Sequence, residues 1–192
     1  MKEELTLGEE ISKMSDDERD EMMKLGIISD SDQFRKYQAP SFHDRRPPIQ
    51  RTAVHASCVL NEAYNYSRPS SFSRATRLDL GDYTLLLISG TASVNENGKT
   101  AHVGDFRAQC WRTFRNIHEL LVAEEMSWYD VIRTSCYLRD IERDYKDFNE
   151  IRTQYYTWLG LDPLPASTGI QARLCWDTLL VEIEAIALCK SK

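Results

Sequence analysis

The sequence predicts an α+β domain in which a mixed β-sheet carries two helices on one face, preceded by a helical and extended N-terminal arm. Short segments rich in β-branched and aromatic residues alternate with two long stretches whose apolar residues recur at helical spacing. The 192 residues and 42% hydrophobic content suffice for one core but not for two full domains. A sheet covered on one face only needs a partner for its other face, which favours an oligomer.

The chain begins with helix signals and continues into a segment without a period. Residues 1–28 carry apolar positions among many acids, and Ser15 and Glu18 have the spacing of a capping box. Residues 29–51 are rich in Ser, Asp, Arg and Pro, which indicates an extended linker or a strap over a neighbouring surface.

The α+β domain is predicted for residues 66–192, and residues 1–65 are predicted to form an N-terminal extension. Segments with strand composition occur on both sides of this boundary, and Asn97-Gly98 is a hairpin turn signal. The last two segments flank Trp176-Asp177, which predicts a final pair of strands around that turn. The strand-like segments are residues 53–62, 72–80, 83–90, 131–138, 167–175 and 178–188.

Two stretches predict amphipathic helices that cover one face of the sheet. The first begins after Asp105, a suitable N-cap residue, and the second runs from about residue 144 to residue 159, before Gly160. Their apolar residues recur at spacings of three and four. The positions predicted to be buried are Phe106, Cys110, Phe114, Ile117 and Leu121 in the first helix, and Tyr145, Phe148, Ile151, Tyr155 and Trp158 in the second.

The composition argues against polyanionic partners and against membranes. The formal net charge of −6 and the pI of about 5.3 give a negative average field, which repels nucleic acids. No apolar run approaches the ~20 residues of a membrane span, and the first residues are acidic, unlike a signal peptide. We therefore expect a cytoplasmic protein that binds neither nucleic acid nor membrane.

The cysteine and histidine patterns predict no metal site, and no cofactor is expected. Five cysteines form no C-x-x-C pair, and four histidines have no H-x-x-x-H or H-x-H spacing. Reduced, mostly buried thiols are the expected state. Cys175 is also interpreted first as a core residue, because no histidine lies near it in the sequence to activate a thiol.

Two carboxyl groups near the end of the chain are candidates for acid chemistry. In a strand, Glu182 and Glu184 share one face while Ile183 points to the other. A carboxyl group in a partly apolar interface is kept protonated by desolvation and can give its proton to an electron-rich carbon. A solvated or ion-paired strand carboxylate is the alternative.

Several segments of the domain together resemble the Rid (YjgF-like) family. They follow the family's order over about residues 70–189. They are residues 87–92 (Leu-Ile-Ser-Gly-Thr-Ala), Gln109 with Asn116, residues 130–140, Phe148-Asn149 and residues 181–187. The resemblance implies the chorismate-mutase-like fold of that family. It also implies a homotrimer that binds a small-molecule carboxylic acid in a pocket at each subunit interface.

The resemblance further implies which side chains form the pocket. Glu182 would be the catalytic residue. Gln109 and Asn116, two helical turns apart, are interpreted as structural residues that bond loop carbonyls or contact a neighbouring subunit. The substrate-binding positions carried onto this chain are Phe72, Ser89, Gly90, Asn149, Ser167, Thr168, Gly169 and Cys175.

One family position departs from the pattern. In deaminating relatives, an arginine after the Pro-Ala of the penultimate strand binds the substrate carboxylate, whereas Ser167 stands there in this chain. The loss removes a charge-assisted contact and disfavours a standard aminoacrylate deaminase. Arg74, next to Phe72, is the preferred replacement. The other arginines considered are Arg173 and, in the arm, Arg45, Arg46 and Arg51.

Two stretches resemble the C-terminal half of chorismatases, which hydrolyse the enolpyruvyl ether of chorismate. They are residues 89–94 with 102–105, and residues 165–175 with 180–184. Some chorismatases carry an active-site cysteine at the position of Cys175. Because chorismatases have two such halves in one chain, a chorismatase-like site here would be completed by another subunit or by the extension.

The preferred function is a trimeric enzyme that hydrolyses an enol ether or enamine of a small carboxylic acid, with chorismate-like substrates favoured. Both reactions need protonation of a carbon, by Glu182 here, and attack of water on the resulting cation. The alternatives are an enamine or imine deaminase with a relocated carboxylate-binding arginine, and a non-catalytic metabolite-binding or interaction protein. An endoribonuclease is disfavoured by the acidic balance.

Overall fold

The computed structural model describes residues 14–33, 35, 49–56, 60–66 and 69–191. Contacts within the chain divide it into two units, residues 1–48 and residues 49–192. Most of the predicted extended arm, with Arg45 and Arg46, lies outside the described residues, as does Cys58. No helix in the described ranges is long and apolar enough to cross a membrane.

Helix α1 (Asp16–Lys24) is the described helix of the first unit. Ser15 and Glu18 form the predicted capping box, in which each side chain bonds the backbone N–H of the other residue. Arg19 forms an ion pair with Asp32 within the same unit. Of the helical structure predicted for residues 1–28, one short helix is therefore confirmed over this range, and residues 1–13 lie outside the described residues.

The second unit contains a six-stranded mixed sheet in the spatial order β1-β2-β3-β6-β4-β5. All neighbouring pairs are antiparallel except β4 and β5, which are parallel. The strands are β1 (Gln50–Ala53), β2 (Ala75–Asp79), β3 (Tyr83–Ala92), β4 (Val131–Leu138), β5 (Ala166–Gln171) and β6 (Val181–Lys190). The predicted α+β class with a mixed sheet is confirmed.

Two helices, α2 (Phe106–Ala123) and α3 (Ile141–Leu159), pack on one face of this sheet. Asp105 caps α2 by accepting a hydrogen bond from the backbone N–H of Ala108 at 2.9 Å, as predicted. The left-handed conformation of Gly160 ends α3, also as predicted. The five apolar positions predicted for α2 are all buried.

The prediction for the buried face of α3 is wrong at two positions. Tyr145 is 46% exposed and Trp158 is 75% exposed, whereas Tyr156 is buried instead. Apolar residues at spacings of three and four form a broad stripe along the helix. Because α3 contacts the sheet mainly at β4, only the middle of this apolar stripe is covered. Trp158 stacks on Tyr155 at the surface, with 6.0 Å between ring centroids.

The arrangement of the last two strands also differs from the prediction. β5 and β6 do not pair around the turn at Trp176-Asp177, because β4 lies between them. Helix α3 connects β4 to β5, and a connection of this length allows β5 to lie parallel to β4. β5 is therefore the edge strand beside β4. Residues 172–180 then carry the chain across the sheet end to β6.

The face of the sheet opposite the helices presents apolar side chains. Leu87 is 41% exposed and Leu188 is 37% exposed, and neighbouring side chains of this face are half-buried. Leu87 stands opposite Ile186 on β6 and opposite Thr76 on β2. We call this surface the open face; it consists of Thr76, Leu78, Leu85, Leu87, Arg133, Ser135, Tyr137, Glu182, Glu184, Ile186 and Leu188.

The division between extension and domain, predicted at residues 65 and 66, stays a prediction. Residues 49–66 belong to the same contact unit as the rest of the sheet, and β1 pairs with β2. The strand predicted at residues 53–62 is wrong in the described part of that segment, because β1 ends at Ala53 and residues 54–56 and 60–62 are irregular. A short 3-10 helix follows at Ala63–Asn65.

Deleting residues 1–48 should leave residues 49–192 folded, because β1 and its partner strand are both retained. We expect a cooperative thermal transition by circular dichroism, with altered ligand access or weaker assembly if the arm covers a neighbouring surface. A truncated protein that does not fold would show that the arm is part of the core.

Candidate functional site

A cavity of about 350 Å³ opens beside the junction of β3 and β6. Aromatic, apolar and charged side chains share its wall, a combination that is common in small-molecule sites. It is lined by Ala63, Tyr66, Ser70, Phe72, Arg74, Ser89, Gly90, Ala92, Val94, Cys175, Trp176, Leu179, Glu182 and Glu184. Six of the positions predicted from the sequence therefore lie around one cavity.

A β-bulge places the backbone of β3 against the side chain of Glu182. The register between β3 and β6 shifts between Ile88 and Thr91, so that Ser89 and Gly90 form the bulge. The Ser89 hydroxyl donates to the carbonyl oxygen of Ser73 at 2.8 Å, which ties the bulge to the chain before β2.

Asn116 fixes the end of β3 that follows the bulge. Its buried side-chain amide donates to the carbonyl oxygens of Ala92 and Val94, at 2.9 and 3.1 Å. Ala92 and Val94 both line the cavity. The structural role predicted for Asn116 is confirmed, and helix α2 thereby positions one wall of the site.

Gly90 is required by the close approach of Glu182. A Cβ atom at position 90 would overlap Oε1 of Glu182 and would lie 3.0 Å from its Cδ. The backbone of Gly90 is not in the left-handed region, so the constraint is the space taken by the carboxyl group.

Glu182 itself is half-buried, on the same strand face as Glu184, while Ile183 is fully buried on the helix side. Burial, and then the nearby charge of Glu184, raise the pKa of the Glu182 carboxyl above its ordinary value of 4.5, and the charge of Arg74 opposes them. Within the described ranges, no hydrogen bond or close ion pair engages the Glu182 carboxyl group. No group of the described chain therefore competes with a bound molecule for this carboxyl group.

Glu184 has a different environment one pleat along the strand. It accepts a hydrogen bond from the hydroxyl of Tyr137 at 2.8 Å. That hydrogen bond is the main cause of the raised pKa of Tyr137. Glu184 is therefore held in place as a hydrogen-bond acceptor, and its charge acts on Glu182.

Arg74 is a buried cation in the cavity wall, only 5% exposed. Its Nε donates to the carbonyl oxygen of Asn61 at 3.1 Å, and another of its nitrogens donates to the hydroxyl of Tyr66. Its guanidinium carbon lies 5.0 Å from the ring centroid of Tyr66 and 5.3 Å from that of Phe72. No carboxylate of the described chain pairs with it within 4 Å, so its charge is available to a ligand.

The loop before β6 is held by Arg139, which follows β4, and by Gln109 of helix α2. Arg139 donates to the carbonyl oxygens of Leu179 and Leu174, and Gln109 bonds both Thr178 and Leu180. The structural role predicted for Gln109 is confirmed. This loop carries Cys175, which is exposed and lines the cavity, so its interpretation as a core residue is wrong.

The other predicted positions lie away from this cavity, at the edge strand β5 and on α3. Asn149 accepts a hydrogen bond from Arg152 at 2.5 Å, and Ser167 accepts one from the same arginine at 3.0 Å. Arg133 donates to Thr168 at 3.3 Å. Gly169 is in β5, and Arg173 is exposed after its end. A single chain therefore brings together only part of the predicted set.

The cavity residues that the sequence interpretation missed include three large side chains. Tyr66, Trp176 and Leu179 lie in segments without regular periodicity, where neither spacing nor the family motifs give a signal. In the described part of the chain, no group of three His, Cys, Asp or Glu side chains is arranged to hold a metal ion.

The fold and the cavity define an α+β unit with a cavity at the junction of β3 and β6. A family model described as "Endoribonuclease L-PSP" matches residues 67–189. Because the match spans more than half of the chain, the chain belongs to this family, the Rid (YjgF-like) family.

Curated relatives and solved structures agree with that membership. 3-Aminoacrylate deaminase RutC of Acinetobacter baylyi is 29% identical over 113 residues, which cover 59% of this chain and 82% of the relative. A RutC family protein of Pyrococcus horikoshii is 29% identical over 102 residues, which cover 53% and 77%. The structure of E. coli TdcF with bound serine matches with a TM-score of 0.59 and 21% identity, covering 72% of this chain and 98% of that one. This last likeness shows the fold.

The Gly90→Ala variant should lose most activity with little loss of stability. The new Cβ would displace the Glu182 carboxyl group, which is the flexible end of a side chain and can move at small cost. Turnover and melting temperature of this variant should be measured in parallel. In a Glu182→Gln background, the same change should lower turnover little further, because neighbouring sites are not additive. A fully active Gly90→Ala variant would contradict this role of Gly90.

Proposed function

We propose that this protein is a trimeric Rid-family enzyme of the cytoplasm that hydrolyses an enol ether or enamine of a small carboxylic acid, with chorismate-like substrates favoured. The observation that carries the proposal is the half-buried Glu182 carboxyl at a cavity, with a raised pKa and no hydrogen-bond partner among the described residues. Such a group is suited to act as a general acid.

In the proposed reaction, Glu182 gives its proton to the terminal carbon of the substrate double bond. An enol ether then becomes an oxocarbenium ion and an enamine becomes an iminium ion. Water adds to the cation and returns a proton to the carboxylate. The adduct collapses to a keto acid and an alcohol in the first case, and to a keto acid and ammonia in the second. The same carboxyl group therefore serves both reactions, and the substrate decides which occurs.

Arg74 is proposed to bind the substrate carboxylate from inside the cavity. Its guanidinium is fixed by Asn61 and Tyr66 and has N–H groups left for a ligand. Phe72 and Trp176 provide apolar surface beside it, and Cys175 lies at the rim as a further contact. This arrangement supports the replacement of the family arginine that is absent at Ser167.

The trimer is proposed to complete the site. The open face exposes Leu87 and Leu188, which a neighbouring copy would bury. The predicted positions that the single chain leaves outside the cavity would then join it from the next subunit. They are Asn149, Ser167, Thr168, Gly169 and Arg173.

An enamine or imine deaminase is the second candidate, and the RutC relative favours it. That protein is named as a 3-aminoacrylate deaminase. Arg74 would be the relocated carboxylate-binding arginine in this case as well. The smaller substrate would leave part of the cavity of about 350 Å³ unfilled.

The purified full chain should be incubated separately with chorismate and with enzymatically generated aminoacrylate, while pyruvate and ammonia are followed. Pyruvate from chorismate without ammonia is the expected result. Faster release of ammonia from aminoacrylate would select the deaminase instead. No product above the uncatalysed rate from either compound would overturn the proposal in favour of a non-catalytic binding or interaction protein.

A further inference from the structure

A second cavity, of about 520 Å³, lies between the second half of α3 and the start of β5. Its wall includes Arg152, Tyr156, Pro165 and Ser167. β5 is the edge strand of the sheet, so this cavity opens at the periphery of the unit. It shares no lining residue with the cavity of Glu182.

Arg152 is a half-buried cation whose partners in this cavity are all neutral. One guanidinium nitrogen donates to Oγ of Ser167 at 3.0 Å and another donates to Oδ1 of Asn149 at 2.5 Å. The guanidinium carbon lies 5.1 Å from the ring centroid of Phe148. Within residues 49–56, 60–66 and 69–191, no carboxylate lies within ion-pair distance of Arg152.

The sequence of α3 explains why this charge stays unpaired. The positions three and four residues before Arg152, which face it on the helix surface, are Asn149 and Phe148. The nearby acids Asp147 and Glu150 instead bind Arg107 of α2, at 3.2 and 3.0 Å. The guanidinium is thus oriented by two hydrogen bonds and a ring, with its remaining N–H groups available.

These contacts preorganise Arg152 for a planar anion. A guanidinium held in one orientation binds a carboxylate through two parallel N–H···O bonds, and little rotamer freedom is lost on binding. Asn149 and Ser167, which the family resemblance predicts to be in the substrate pocket, are the two side chains that orient it. In one chain they lie away from Glu182, so only a second copy can bring them to that cavity.

We infer that Arg152 of one subunit completes the neighbouring subunit's cavity and binds a second carboxylate of the substrate, so that the enzyme acts on a small dicarboxylic acid. The inference rests on the proposed function, because it requires the trimeric site. Arg74 binds one carboxylate from within the cavity, and Arg152 binds the other across the interface. Glu182, in the wall of the cavity, protonates the terminal carbon of the substrate double bond.

Binding of 2-oxoglutarate and 2-oxovalerate to the full chain tests the second carboxylate. The two acids have the same carbon chain, and only 2-oxoglutarate carries a carboxylate at its far end. Hydrogen bonds to charged groups contribute about 1.5–3 kcal/mol each. The parent should therefore bind 2-oxoglutarate at least about tenfold more tightly than 2-oxovalerate, as measured by calorimetry. Arg152→Gln should remove this preference and Arg152→Lys should keep part of it. Arg107→Gln, the matched control on α2, should leave it intact.

Equal affinities of the parent for the two acids, or an unchanged preference in Arg152→Gln, would overturn the inference. Binding is measured without turnover, so the inference and the proposed function fail separately. If the protein is inactive on chorismate and aminoacrylate but prefers 2-oxoglutarate through Arg152, the proposed reaction is wrong and the carboxylate-binding role of Arg152 is supported. If the protein turns over substrate but shows no such preference, the reaction is supported and the role of Arg152 is wrong.

Mixed trimers test whether the two residues act across an interface. A protein carrying Glu182→Gln and another carrying Arg152→Gln are unfolded and refolded together. In a random mixture, about a quarter of the interfaces join an intact Glu182 to an intact Arg152 of the next subunit. We expect the mixture to recover up to that fraction of parental turnover. An activity equal to the average of the two separate variants would show that no such interface site exists.

Discussion

The Glu182→Gln variant should turn over substrate ~10²–10⁴-fold more slowly than the parent, while its assembly and ligand affinity are retained. Glutamine keeps the shape of the side chain but has no proton to give to carbon. Since the Glu182 carboxyl group makes no hydrogen bond in the described part of the chain, the substitution breaks no structural contact. The effect should therefore appear in kcat, measured at saturating substrate.

Glu184→Gln is the matched control on the same strand face. Its carboxyl group is an acceptor for Tyr137 at 2.8 Å, which an amide oxygen can replace. We expect a change of less than about tenfold in turnover, because only the electrostatic effect on Glu182 is lost. Parental activity in Glu182→Gln, or an equal loss in both variants, would contradict the assignment of Glu182 as proton donor.

The pH dependence of stability gives an independent readout for the same variant. The folded protein holds the Glu182 proton to a higher pH than the unfolded chain does, because the pKa is raised above 4.5. Stability from this group is thus present below pH 4.5 and is lost as pH rises through the folded pKa. Glu182→Gln should be as stable as the parent near pH 4 and more stable at pH 7 in urea unfolding.

The Leu87→Lys variant should be monomeric and inactive, although its fold is retained. Leu87 lies in the middle of the open face, and a lysine there would bring an unpaired ammonium into the proposed subunit interface. Light scattering should give about three times 22.2 kDa for the parent and about 22.2 kDa for the variant. A circular dichroism spectrum of Leu87→Lys that is close to that of the parent would show that the monomer is folded.

Val122→Lys provides the control for the open-face variant. Val122 is 50% exposed on helix α2, on the opposite layer of the unit, and should tolerate lysine without loss of assembly. A monomeric parent across the micromolar range would remove the interface on which the composite site depends. A trimeric Leu87→Lys protein would place the interface elsewhere.

Regular periodicity explains how much of the fold was predictable. The apolar positions of α2 fall on one face because the whole length of that helix packs on the sheet. Helix α3 has an equally clear pattern, but Tyr145 and Trp158 flank the covered part and remain exposed. A repeat identifies a helix, whereas the width of the covering layer decides which of its apolar residues are buried.

The order of the strands could not be read from sequence spacing. The hairpin interpretation of β5 and β6 used the turn signal at Trp176-Asp177, yet β4 takes the place between those strands. The residues of the turn are compatible both with a β5–β6 hairpin and with β4 lying between these strands. The parallel pairing of β4 with β5 depends on contacts between residues far apart in the sequence.

The candidate site was predictable where the family motifs cover it and unpredictable where loops supply its residues. Gly90 and Glu182 were predicted through the resemblance, and the structure gives the physical reason, because a Cβ atom at position 90 would displace the carboxyl group. Tyr66 and Trp176 enter the cavity from irregular segments. The replacement of the family arginine was sought at Arg74 and Arg173, and Arg152 was overlooked because it lies one helical turn after Asn149 and outside every quoted motif.

The pH dependence of kcat, compared between the parent and Glu182→Gln with the substrate that the screen identifies, tests the central claim most directly. If Glu182 donates the proton, kcat of the parent is high while its carboxyl is protonated and falls as pH rises through a pKa above 4.5. The variant should show low turnover without that descending limb. The same descending limb in Glu182→Gln would contradict the account, because another group would then be the acid.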